Sequence, residues 1–298
     1  MFLLACSVSC TLYFNLEKFM SVKELLSEYG LSPKKHLGQN FLINKNLPEK
    51  IVMAGEVSSS DTVLEVGGGF GVLTEKLAQA AKEVIVVEKD ETLALVLKEK
   101  FKNNKNVKII KGDILKTDLS ELENYKIIAN LPYQISSIFL KRFLSAKNKP
   151  NLIVLMLQKE VVERILAKPG KMNLLALSVQ FFGKPKKIMD VSKNNFYPVP
   201  KVDSAVIRID IKDVGNNKDI IDNLSQLSWP SPSLEEKMFR LAKVGFGQKR
   251  KQLKNNLKNL EIPEEQILGA FKKIGLKDSV RPQELSVENW IELTKLLD

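Results

Sequence analysis

The feature that most constrains this chain is a rhythm. Between residues 61 and about 158, short apolar runs rich in β-branched residues alternate with helical periods. Thr62–Val66, Val84–Glu88, Val107–Lys111, Lys126–Asn130 and Asn151–Gln158 read as strands, and Gly71–Ala80, Glu91–Phe101 and Ile135–Leu144 as helices. Strands that are apolar throughout and joined by crossover helices form a parallel sheet covered on both faces. Ligands of such sheets lie outside the carboxyl ends of the strands, so the residue that ends each strand matters most. The expected class is α/β, mostly parallel, with a last strand at Ala205–Ile209 running antiparallel.

Past about residue 212 the strand signals stop and helical periods follow, punctuated by Trp229-Pro230-Ser231-Pro232, Pro263 and Pro282. The expected division is a catalytic domain over 20–211 and a small all-α domain over 212–298. Residues 159–200 read as a basic, loop-interrupted region. Residues 1–19 are read as an upstream extension with no assigned role. Their apolar run is too short to span a bilayer before Glu17 and Lys18, and no membrane partner is expected.

Charge and rare residues narrow the chemistry. The formal net charge is +11. Residues 141–201 hold 13 basic and 3 acidic side chains, and 243–258 hold 6 basic side chains and no acid, which points to a polyanionic partner. The single histidine, His36, excludes a His-rich metal site and leaves a Ser/His/Asp triad dependent on one residue. The two cysteines, Cys6 and Cys10, leave no disulfide framework or zinc cluster in the body of the chain. This suits a reducing, cytoplasmic compartment, and no metal is expected.

The first site signal is Glu65-Val66-Gly67-Gly68-Gly69-Phe70-Gly71, between a strand and a helix. Glycine there lets the backbone turn sharply and approach a ligand beside free helix N–H groups. The dinucleotide fingerprint fails because Val72 stands where its third glycine belongs, and the P-loop fails for want of Gly-Lys-Ser/Thr. What remains resembles the S-adenosylmethionine loop of Rossmann-like methyltransferases. Glu88 ends the next strand, about 20 residues on, where a carboxylate can accept both hydroxyls of a ribose. Asp113 follows the third strand and can accept a hydrogen bond from an adenine amino group. Two acids also suit a cationic sulfonium better than an anionic pyrophosphate.

The fourth strand ends in Asn130-Leu131-Pro132-Tyr133, where Pro132 stiffens the turn. At that place the motif resembles the active-site loop of methyltransferases acting on adenine N6. An exocyclic adenine amine is a poor nucleophile because its lone pair is delocalised. The Asn130 side-chain oxygen and the Leu131 carbonyl can each accept one N–H, aiming that lone pair at a methyl group. Tyr133 offers a π-face to the base and to the sulfonium charge. The base must be unstacked to reach such a pocket, and Phe196, on the loop running to Ser204, is expected to hold it as a second aromatic.

Taken together, these motifs resemble the small-subunit (16S) ribosomal RNA adenine N6,N6-dimethyltransferases, of the KsgA type, over about Lys34 to Leu297. Gly38-Gln39-Asn40-Phe41-Leu42 is similar to the family segment that folds over the cofactor, and the resemblance makes Asn40 and Leu42 cofactor contacts. Gly67, Gly69, Glu88, Asp113 and Asn130 correspond to further cofactor positions, and Asn130–Tyr133 with Phe196 to the catalytic set. Gln158–Arg164, Gly247–Leu257 and Arg281–Ser286 are similar to family signatures. Lys201, Lys249, Arg250, Lys251 and Lys254 are the RNA contacts expected. The resemblance implies S-adenosylmethionine as methyl donor, S-adenosylhomocysteine as product and no metal. It implies dimethylation of two adjacent adenosines in the 3′-terminal loop of small-subunit rRNA. The partner implied is the pre-30S particle, with a role in subunit maturation and a monomeric enzyme. Two competing readings are a large-subunit rRNA methyltransferase of the macrolide-resistance type, and an assembly factor whose main role is pre-30S binding.

Overall fold

The computed structural model describes residues 20–212 and 233–298, so the extension at 1–19 and nearly all of 213–233 lie outside the described residues. The chain forms two compact units. Of the described residues, one unit comprises those up to Lys159 together with Lys187–Arg208, and the other comprises Glu160–Lys186 and those described between Ile209 and Asp298.

The first unit begins with helix α1, Val22–Glu28, started by a capping box in which Ser21 and Glu24 satisfy each other's backbone N–H groups. A two-residue strand, β1 (Phe41–Leu42), leads to α2 (Leu47–Ala54), which carries Pro48 in its first turn. Strands and helices then alternate: β2 (Thr62–Val66), α3 (Val72–Ala80), β3 (Glu83–Glu88), α4 (Glu91–Lys100), β4 (Val107–Lys111), β5 (Tyr125–Asn130), α5 (Ser136–Leu144) and β6 (Leu152–Gln158). Three further strands follow, β7 (Gly183–Val191, in this unit from Lys187), β8 (Phe196–Tyr197) and β9 (Ser204–Ile211, in this unit up to Arg208). Strand β1 pairs antiparallel with β8, Phe41 opposite Tyr197 and Leu42 opposite Phe196.

The main sheet has seven strands in the order β4-β3-β2-β5-β6-β9-β7. The strands from β4 to β6 are parallel, with Leu64 of β2 facing Ile85 on one side and Ile127 on the other. Val63, Leu64, Val84, Val86, Ile127, Ile128 and Val154 are fully buried, which is why these strands read as unbroken apolar runs. Strand order reverses at β2 and β5, so the crevice at the carboxyl end of β2 is where such a sheet takes a ligand.

In the second unit lie α6 (Lys159–Ile165, from Glu160 on), α7 (Leu174–Phe182), α8 (Leu234–Gly245), α9 (Leu253–Leu257), α10 (Glu264–Lys273) and α11 (Val287–Leu297). Capping boxes at Ser233 and Ser286 start α8 and α11. The core closes on Trp290 and Phe271, both fully buried, with Leu177, Met238 and Leu253 around them.

Two expectations are corrected here. Residues 160–186 read with the sheet from sequence, yet they group with the helices, because the apolar face of α7 packs Ala176 and Leu177 against Met238 and Phe271. The stretch read as loop-interrupted contains the nine-residue strand β7. It lies at the sheet's edge, the one place where Pro185 and a row of lysines are tolerated in a strand.

Candidate active site

A cavity opens in the first unit at the carboxyl ends of β2, β3, β4 and β5. Asn40, Leu42, Gly67, Gly69, Glu88, Asp113, Asn130, Leu131, Pro132 and Tyr133 all line it. Gly67 and Gly69 sit at φ 72° and 56°, a region that penalises any side chain. A Cβ at Gly67 would meet only Pro132 Cδ at 3.9 Å, so the backbone there borders open space.

Glu88 is 6% exposed, and its carboxylate holds the glycine loop. Its Oε2 accepts the Gly69 N–H at 3.1 Å and its Oε1 the Asp90 N–H at 2.8 Å. A carboxylate has about four acceptor sites, so acceptor capacity remains for a group in the cavity. Burial pushes the Glu88 carboxyl above the usual carboxylate range, opposed by these backbone N–H groups. Asp113 behaves in the opposite way. Lys89 Nζ lies 2.9 Å from its Oδ2 and the Leu115 N–H donates to its Oδ1 at 3.0 Å, and the Lys89 bond holds its carboxyl low.

Asn130 ends β5 with its amide oriented. Its Nδ2 donates to the Asn40 carbonyl at 3.4 Å, which leaves Oδ1 as an acceptor for a group in the cavity. Asn40 is itself fixed, donating through Nδ2 to the Gly38 carbonyl at 3.1 Å. Leu131 is buried and its N–H donates to the Met156 carbonyl at 3.3 Å, tying the loop to β6. Tyr133 is half-buried, and its hydroxyl shares a hydrogen bond of 2.6 Å with Ser204.

The structure departs from the sequence expectation at Phe196. That ring is 1% exposed and packs in the core with Leu42 and Ile51, so a base cannot stack on it in this arrangement. Pairing of β8 with β1 turns Phe196 inward, and its neighbour Tyr197 carries Lys23 Nζ over its ring at 5.0 Å. Several residues that sequence reasoning passed over belong to the site. Gln39 Nε2 donates to Asp90 Oδ2 at 3.0 Å, Lys34 Nζ pairs with the same oxygen at 2.7 Å, and Gln134 Nε2 donates to the Lys35 carbonyl at 3.1 Å. These bonds clasp the 34–42 segment to the cavity rim. The flanking positions Gln39 and Gln134, each inside or beside a quoted motif, were the signal available.

The expected RNA contacts separate. Lys201 is exposed on the loop before β9. In the second unit, Lys249 and Arg250 line a cavity with Arg164, Lys171 and Arg281, and none of the five is ion-paired among the described residues. Lys251 is exposed beside them in sequence. Lys254 is corrected: Glu264 of α10 lies 3.5 Å from it and 2.7 Å from Lys258, so part of that basic run is neutralised. Among the described residues no group of three or more His, Cys, Asp or Glu could hold a metal, and no helix is long and apolar enough to cross a membrane.

Comparison with known proteins follows the same lines. The profile of the ribosomal RNA adenine dimethylase family matches residues 30–298. A ribosomal RNA small subunit methyltransferase A of Dehalococcoides mccartyi is 42% identical over 273 residues, spanning 90% of this chain and 89% of that protein. One from Clostridium botulinum is 37% identical over 283 residues, spanning 92% and 98%. Among solved structures, a dimethyladenosine transferase from Plasmodium falciparum aligns with TM-score 0.69 at 26% identity, covering 85% of this chain and 95% of that one. The 23S rRNA methyltransferase ErmE shares the fold, with TM-score 0.67 at 23% identity, covering 87% and 100%.

Proposed function

Because the chain belongs to the ribosomal RNA adenine dimethylase family and is a methyltransferase, we propose that it uses S-adenosylmethionine to dimethylate adenine N6 in small-subunit rRNA. The target in this reading is the pair of adjacent adenosines of the 3′-terminal loop, presented within the pre-30S particle to a monomeric, cytoplasmic enzyme with a part in subunit maturation. The relatives' names support the small subunit over the large one.

The cavity suits that cofactor. Glu88 keeps acceptor capacity for the ribose hydroxyls, and Asp113, kept ionised by Lys89, can accept from the adenine amine. Leu42 and Ile114 supply apolar wall, and Gly67 leaves its side of the cavity open. Bound there, S-adenosylmethionine supplies a methyl group on a sulfonium.

The observation that carries the reading is the orientation of Asn130. With Nδ2 engaged by the Asn40 carbonyl, Oδ1 is the atom presented, and an exocyclic amine needs an acceptor. Asn130 Oδ1 and the Leu131 carbonyl would each take one N–H, holding the nitrogen with its lone pair directed at the methyl carbon. The Tyr133 ring, which lines the same cavity, would serve as the stacking face. The cationic cavity of the second unit would take the RNA backbone: five cations without an ion pair among the described residues bind phosphate in a salt-sensitive way.

The test offers labelled S-adenosylmethionine to unmethylated 30S particles, 50S particles and naked rRNA, with nucleoside analysis of the product. Label in N6,N6-dimethyladenosine from 30S particles alone is expected, and Asn130→Ala should lose it while keeping most cofactor affinity. Label from large-subunit RNA would overturn the target. No label anywhere, with the cofactor still bound, would leave an assembly factor.

A further inference from the structure

Two loops on the cavity side of the first unit are far apart in sequence and joined at one point. The Tyr133 hydroxyl and the Ser204 hydroxyl lie 2.6 Å apart, 71 positions apart in the chain. Ser204 is fully buried and opens β9. Its predecessor, Asp203, is held from two sides. The Asp203 Oδ1 accepts the Lys193 N–H at 2.9 Å, and its carbonyl accepts the Lys159 N–H at 3.0 Å. Ser204 therefore stands on a fixed backbone.

The other partner is fixed as well. The Ser136 hydroxyl donates to the Tyr133 carbonyl at 2.9 Å, so the residue is pinned at its backbone and at the tip of its ring. Removing either hydroxyl would leave the space nearly filled. What the bond adds is direction: the ring cannot swing away without leaving a buried hydroxyl unpaired. On the N-terminal side of Ser204 the chain carries Pro198 and Pro200 and exposes Val199, Lys201 and Val202.

We propose that Ser204 is a positioning residue that sets the Tyr133 ring for the target adenine and ties it to the 198–204 loop. The proposal rests on reading Asn130–Tyr133 as the methyl-transfer loop. A wall held before the base arrives spares the reaction the ordering of that wall, whereas a free ring leaves the amine aligned against a moving surface.

The experiment compares Ser204→Ala, Tyr133→Phe and the double variant on small-subunit particles at saturating cofactor. Each single change should lower kcat about tenfold, the size of one net hydrogen bond. The double variant should fall no further, because both changes remove the same bond. Cofactor affinity should stay at the wild-type value, and the melting temperature should fall in Tyr133→Phe, which leaves the buried Ser204 hydroxyl unpaired, and recover toward wild type in the double variant. Additive losses in the double variant, or unchanged kcat in both single variants, would overturn the proposal. If Ser204→Ala fails to fold, Tyr133→Phe breaks the same bond from the half-exposed side. If wild-type protein methylates no rRNA, the functional reading falls by itself and crystal structures of wild type and Ser204→Ala decide the inference. A Tyr133 ring that shifts or splits between conformers in the variant is expected, and an unmoved ring refutes it.

Discussion

Glu88 closes the glycine loop and faces the cavity with the same carboxylate. Glu88→Ala should weaken cofactor binding by about 1–3 kcal/mol through lost charge-assisted hydrogen bonds. Burial raises the Glu88 carboxyl, so the ionised acceptor is lost at a higher pH than for an ordinary glutamate. Affinity measured by calorimetry should therefore decline as pH falls through that raised value, and Glu88→Gln should flatten the decline. Beneath the loop, Glu65 is 1% exposed with Thr74 Oγ1 at 2.6 Å, and burial pushes its carboxyl up to about 8. Here the folded state holds its proton more tightly than the unfolded chain. The stabilisation is complete below the unfolded value of 4.5 and is lost as pH rises to about 8. Urea unfolding of wild type and Glu65→Gln should show the wild type losing stability relative to the variant between those values.

The elements show which local signals were readable. Strands β2, β3, β5 and β6 were legible because burial on both faces leaves a nearly uninterrupted apolar run, and β4, at an edge, by its β-branched Val107, Ile109 and Ile110 between lysines. Strand β7 was not, because an edge strand meets water and accepts Pro185 and lysines that elsewhere mark a loop. Close packing between helices was also hidden. A Cβ at Gly245, the last residue of α8, would stand 2.5 Å from the Trp290 ring and 2.9 Å from Leu253. Trp290 is fully buried and cannot retreat to solvent. Gly245→Ala should destabilise the helical unit by about 1–3 kcal/mol, read by denaturant midpoint. A variant as stable as the wild type would mean that α11 can shift away.

At the scale of the whole molecule, the net charge of +11 needs a place to act. The second unit gathers Arg164, Lys171, Lys249, Arg250 and Arg281, drawn from three stretches of chain, around one cavity. Phosphate binding there would release counterions, so affinity for rRNA should fall steeply with salt. Arg250→Ala should weaken binding similarly across RNA sequences and reduce the slope of log affinity against log salt by about one. An unchanged slope would move the RNA contact elsewhere. Lys254→Ala should change the slope less, because Glu264 already faces that ammonium.

The sequence by itself determined the parallel sheet, the strand ends that face the cavity, and the run from Asn130 to Tyr133. Each of these is written in neighbouring residues, because a strand, its end and the turn that follows are local. The direction of side chains across strands and the pairing of distant loops are not local. Only the tertiary structure turned Phe196 into the core, grouped residues 160–186 with the helices and brought Glu264 to Lys254. It also set Asn40 against Asn130 and Ser204 against Tyr133, 90 and 71 positions apart. Those contacts exist because a sheet closes long stretches of chain onto one crevice, where each polar group must find its partner in space and not in sequence.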